Sequence, residues 1–200
     1  MRLHIDMSAI AESPRRGLIV LGLLVLTLAV GALALPALDD MGDVGIVEFE
    51  LARTSEQASE YYGELGESGR DAAQESLYLD YPFLILYGLL YAAACLVVAA
   101  RAAERGMTRL ARWGRPAAWA GLGSAACDAV ENLALLRVVD GHTDQPWPGI
   151  AFTFASVKFA LAAAVVLYVL IGFLLTLRRP ASPSRTSREP DPGAPAGASP

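Results

Sequence analysis

Four apolar stretches constrain this chain more than any other feature. They cover 17–35, 82–103, 117–138 and 148–177. At 1.5 Å per residue each can cross a hydrocarbon core about 30 Å thick. With 54% hydrophobic residues and a mean hydropathy of +0.39 over 200 residues, the chain is too apolar for an ordinary soluble domain. The expected fold class is all-α: a four-transmembrane-helix bundle with a partly helical extracytoplasmic loop, 37–81, between helices 1 and 2. Residues 1–16 read as a cytoplasmic lead and 17–179 as the four-helix membrane domain. Residues 180–200 form a tail rich in Pro, Ser, Gly and Ala, which buries too little apolar surface to offset the entropy of ordering it and is expected to be disordered.

The arginines give the orientation, because Lys and Arg accumulate in cytoplasmic loops beside membrane helices. Arg15 and Arg16 precede the first stretch, Arg101, Arg105, Arg109, Arg112 and Arg115 lie between the second and third, and Arg178 and Arg179 follow the fourth. With four crossings all three clusters fall on one side. The expectation is a multi-pass protein of a bacterial-type inner membrane with both termini cytoplasmic. Ala32-Leu33-Ala34 resembles a signal-peptide cleavage site, but the apolar run exceeds the usual signal core of about 7 to 15 residues, which favours a retained helix.

In the outer loop, Thr54-Ser-Glu-Gln57 has the form of a capping box and predicts a helix start. That helix should end near Gly63 or Gly66. Ser68-x-x-Asp71 is a second start, leading towards the second span, where Pro82 marks either a kink or a fresh beginning. Residues 45–52 are too apolar to be idle linker and should lie on the membrane surface or pack on the bundle. Cys95 and Cys127, the two cysteines, both fall inside predicted spans; they read as small buried hydrophobes, at depths that leave a contact between them open.

Against this apolar background, CDAVENLALLR at 127–137 places two carboxylates and an amide within five residues. At 100° per residue Gly121, Ser124, Asp128, Glu131, Asn132 and Leu135 share one face of the third helix. A carboxylate facing lipid costs on the order of 2.5 to 3.5 kcal/mol, so this face must point into the bundle. The fourth helix carries Lys158, the only lysine in the chain, on a face with Ala151, Ala155 and Ala162. Asp128 and Lys158 each lie about 15 Å from the outer ends of their helices, and consecutive antiparallel helices are usually neighbours. The expected polar cluster is therefore Asp80, Ser124, Asp128, Glu131, Asn132 and Lys158, with Ser124 and Asn132 as hydrogen-bond partners of the carboxylates. Two acids against one base leave a surplus, which protonation or a pairing with Arg53 or Arg137 would relieve. Glu48, Glu50 and Arg53 are further candidates in the outer loop.

GIVEFELARTSEQA, SLYLDYPFLILYG, CDAVENLALLR and the lysine of FASVKFA together resemble a group of small bacterial four-helix integral membrane proteins. The resemblance covers about 45–165 and implies the four-helix topology; it implies no activity.

A buried ionic clamp selecting one helix arrangement would account for the cluster as structure alone. The surplus acid favours a site instead, and intramembrane ionisable residues are candidates for function. The leading expectation is a non-enzymatic binding or accessory protein with a buried polar site opening outward. An intramembrane acid–base enzyme acting on a lipid or isoprenoid and a proton-coupled small transporter are the alternatives. No G-x-S-x-G, H-E-x-x-H or C-x-x-C signature occurs, so catalytic residues are not assignable. His4 and His142 fall on opposite sides of the membrane, which argues against a metal site, and no cofactor is expected. The expected partners are the lipid bilayer, a lipid or small amphiphile ligand, and a second copy or a partner membrane subunit, with no nucleic acid among them.

Overall fold

A computed structural model of the chain describes residues 13–39 and 49–177, with the side chains of 34–39 left aside. Among the described residues the fold is all-α with four helices: α1 (Arg16–Asp39), α2 (Ser55–Glu104), α3 (Thr108–Val139) and α4 (Trp147–Leu177). Three of them are long and apolar enough to cross a membrane: α1 over Arg16–Leu33, α2 and α4. α3 has the length, at 32 residues, but it carries Asp128, Glu131, Arg137 and the arginines of its first turns, and these set its composition apart. Its acids are buried in the bundle.

α2 is the central element. α1, α3 and α4 all pack on it and α3 packs on α4, whereas α1 makes no substantial packing with α3 or α4. The seam between α1 and α4 is consequently open. Leu18, Leu21, Val25 and Leu28 on α1 and Leu167, Ile171 and Leu174 on α4 are exposed, an apolar exterior of the kind that lipid contact requires.

Close approach of α2 and α3 rests on small residues. A Cβ at Gly88 would come within 2.8 Å of Ala125 Cβ, and one at Gly121 within 2.7 Å of Tyr91 Cβ, so neither helix can carry a side chain there at this separation. The same contacts set the vertical register, with Cys95 opposite Gly114 and Ala118. Cys127 lies about 13 to 20 Å further along α3. The two thiols therefore do not meet, and the register of α2 on α3 is the reason.

The first turn of α2 is capped as the Thr-x-x-Gln pattern predicts. The Gln57 N–H donates to Thr54 Oγ1 at 3.2 Å, and the Thr54 N–H donates to Gln57 Oε1 at 3.3 Å. The helix breaks at Gly66, whose φ of 62° and ψ of −169° suit glycine alone. Arg70 bridges the break, donating to the Tyr62 carbonyl at 3.2 Å while its guanidinium lies over the Tyr62 ring. Beyond the break the helix runs through Pro82 without interruption, so the second half of the outer loop is continuous with the second apolar stretch. At its C-terminal end α1 also extends past the predicted boundary, through Pro36 to Asp39. Gly66→Ala should cost about 1 to 3 kcal/mol because a Cβ opposes that backbone conformation. By contrast Gly63→Ala, in a helical turn with open space around it, should stabilise by about 0.4 to 1 kcal/mol. Urea titration of the two variants followed by circular dichroism checks the opposite signs.

The end of the bundle where α2 begins and α3 ends is closed by a second set of polar ties. Gln145 N–H donates to Ser55 Oγ, Gln145 Nε2 donates to the Arg53 carbonyl, and Ser59 Oγ donates to Thr143 Oγ1. These hold the start of α2 against the loop between α3 and α4. Beneath them Phe49, 1% exposed, fills a core with Leu65, Leu77, Leu135 and Val138. Residues 49–52 thus pack on the bundle, one of the two placements expected for this segment.

Candidate functional site

Phe49 also fixes the residue that follows it. Glu50 reaches down to the Lys158 ammonium, with Oε2 at 3.5 Å from Nζ. Lys158 stands on the small-residue face of α4, where Ala151 and Ala155 are fully buried and Lys158 itself is 8% exposed. Its ammonium donates to Asp128 Oδ1 at 2.9 Å and lies 2.8 Å from Glu131 Oε2. The inward face of α3 is the predicted one: Gly121, Ser124, Asp128, Glu131, Asn132 and Leu135 are all buried.

The hydrogen bonds differ from the expected set in two places. Ser124 Oγ donates to the Lys158 carbonyl at 3.1 Å, so it ties α3 to the backbone of α4 and does not serve a carboxylate of α3. Asn132 Nδ2 donates to Asp80 Oδ2 at 2.7 Å and thereby links α3 to α2. The partner of Asp128 besides Lys158 is Tyr87, whose hydroxyl donates to Oδ2 at 2.8 Å.

Tyr87 was not among the predicted residues, although a signal was available. Asp80, Leu84, Tyr87 and Tyr91 recur at the i, i+4, i+7, i+11 spacing of one helix face. Thr27 was missed as well. It is 5% exposed among outward-facing leucines of α1, and its hydroxyl donates to the Leu23 carbonyl at 2.7 Å.

Arg53 and Arg137 do not relieve the surplus acid. The Arg53 guanidinium lies over the Phe152 ring and that of Arg137 over Trp147, and neither forms an ion pair with a described carboxylate. Glu48 lies outside the described residues. Glu50 adds to the surplus: the carboxyls of Glu50, Asp128 and Glu131 lie within 3.5 Å of one ammonium, and Asp80 lines the same cavity. Burial pushes the Glu50 carboxyl above its usual range, opposed by the Lys158 charge and reinforced by Asp128 and Asp80. Glu131 is fully buried, and neither of its oxygens accepts an aligned hydrogen bond from a described residue; its contact with Lys158 is ionic.

A cavity of about 460 Å³ opens beside this cluster. Its polar wall is Glu50, Asp80, Tyr87, Ser124, Asp128 and Lys158; its apolar wall is Phe83, Leu90, Tyr91, Phe159 and Ala162, with Thr27 of α1 at the edge. It therefore lies along the open seam between α1 and α4. Such a space can hold a molecule with one polar and one apolar part, and its excess of carboxyls requires protons or a cation for balance. The register of the helices orders the groups by depth. Asp80 and Asn132 are level, while Asp128 is one turn, about 6 Å, and Tyr87 two turns, about 10 Å, nearer the inner end.

No family model matches this chain, and comparison with curated proteins and with solved structures found no similar one.

Proposed function

We propose that this chain is a four-span, non-enzymatic membrane protein that binds a lipid or small amphiphile in the cavity between α1 and α4. The observation that carries the reading is the cavity itself, about 460 Å³, charged on one wall and apolar on the other. Pockets for small molecules have this build, mostly apolar with a few convergent polar groups. α3 is the fourth span: its carboxylates face inward, which removes the cost that would keep them out of lipid. Asp80 and Arg101 are 21 residues apart on α2, about 31 Å, the thickness of a hydrocarbon core. The ionic cluster then lies in the outer third of the membrane, and the arginines on the inner side put both termini in the cytoplasm of a bacterial cell.

Native mass spectrometry of gently solubilised protein tests the reading. Wild type should carry a discrete adduct of lipid size. Ala162→Trp, which fills the cavity from α4, and Asp128→Asn, which removes a charge from its wall, should each reduce its occupancy about tenfold while remaining helical. A wild type that is bare in several mild detergents, or an adduct indifferent to both substitutions, would overturn the proposal.

A further inference from the structure

The cavity continues inward as a second, wholly apolar space of about 250 Å³ lined by Val20 of α1, Leu90, Tyr91 and Ala94 of α2, and Val165, Val166, Val169 and Leu170 of α4. Leu90 and Tyr91 belong to both walls, so the two spaces adjoin along one crevice, charged at its outer end and apolar below. From Lys158 to Leu170 the crevice extends 12 residues along α4, about 18 Å, the reach of a long alkyl chain. The seam between α1 and α4 opens it sideways, so a chain can enter from the bilayer.

The charged end discriminates among headgroups. Its one cation is already taken, held at 2.8 Å by Glu131 and 2.9 Å by Asp128. An anionic head would meet the three carboxyls of the wall, Glu50, Asp80 and Asp128, and no free donor of positive charge among its described residues. A cationic head would meet Glu50, 3.5 Å from Nζ, and Asp80, whose partner among the described residues is the neutral amide of Asn132. Both line the cavity. Behind them Glu131 is fully buried with its Oε2 on the ammonium at 2.8 Å, so Glu50, Asp128 and Glu131 already share the single cation and Asp80 has no ion pair among the described residues. Charge-assisted hydrogen bonds in such a site are roughly twice as strong as neutral ones.

From these features we infer that the site's ligand is a long-chain amphiphile with an ammonium headgroup, seated against Glu50 and Asp80 with its chain along α4. The inference rests on the amphiphile-site reading and specifies its chemistry.

The test offers purified protein three probes with the same tail, hexadecylamine, hexadecanol and hexadecanoate, at pH 7, and counts bound copies by native mass spectrometry. One hexadecylamine per chain should bind at least about tenfold more tightly than hexadecanol, and hexadecanoate should bind least. Glu50→Gln and Asp80→Asn, each checked for helical content, should bring the amine down to the alcohol. Ala94→Phe, which blocks the apolar end and leaves every charge in place, should weaken amine and alcohol alike. If alcohol or carboxylate binds as well as the amine, the headgroup inference fails and the amphiphile site stands. If no probe binds wild type, both fail.

Discussion

Lys158→Met is expected to destabilise the folded protein by about 3 to 5 kcal/mol, the cost of breaking a buried ion pair by removing one partner. The substitution preserves the length of the side chain and removes its charge. Glu131, fully buried, and Asp128, 5% exposed, would then face each other and Glu50 with no cation between them. Tyr87 would still donate to Asp128, but Glu131 has no aligned donor to fall back on. Replacing the trio together, as Asp128→Leu, Glu131→Met and Lys158→Met, should recover at least half of that loss, because an apolar set of similar volume has no charges to desolvate. Denaturant titration in a single detergent checks both changes. The comparison also separates two roles of the cluster. A trio that merely held the helices would be dispensable once replaced by packing, whereas the ligand adduct should stay absent from the triple variant however stable it is.

Gly114→Leu should be the second severe substitution, at about 1 to 3 kcal/mol or more. Any Cβ at this position would coincide with Ala99 Cβ on α2, with Tyr168 Oη only 3.1 Å away and the Cys95 carbonyl 3.4 Å away. Both α2 neighbours are fixed parts of a helix, so relief requires the helices to separate. The hydrogen bond from Tyr168 to the Leu110 carbonyl, 3.1 Å, should be lost at the same time, which loosens α4 on α3. Gly123→Ala is the matching control. Its nearest neighbour would be Leu161 Cδ1 at 3.6 Å, an ordinary contact, so it should leave stability unchanged or raise it by up to about 1 kcal/mol. Thermal melts that place the two variants together would contradict the tight packing of α2 against α3.

Local chemistry made much of this fold legible. The capping box at Thr54 and the break at a loop glycine are short-range patterns whose physics is complete within a few residues. The buried face of α3 was legible because a carboxylate near lipid leaves one orientation open, and the lone lysine named its partner. What the sequence did not disclose depends on register between helices. Which of Asp80, Ser124 and Asn132 serves which acid follows from the height at which α2 meets α3, set by Gly88 against Ala125 and Gly121 against Tyr91. Tyr87 becomes the partner of Asp128 only at that register. Glu50 enters because Phe49 anchors its backbone in a core drawn from α2, α3 and α4, a contact across more than eighty residues of chain. Arg53 and Arg137 had the right charge for the surplus acid, but their guanidiniums lie over the rings of Phe152 and Trp147 instead.

The proposed ligand would lay its hydrocarbon part in the crevice between α1 and α4. Photolabelling in native membranes with a long-chain amine carrying a diazirine in its tail, followed by mapping of the labelled residues, tests this placement most directly. Label should concentrate on Leu90, Tyr91, Val165 and Val169, which line the crevice, be competed away by unlabelled amine and be lost in Ala162→Trp. Label spread evenly over outward-facing positions such as Leu133, Leu167 and Ile171, and unaffected by competitor, would contradict it.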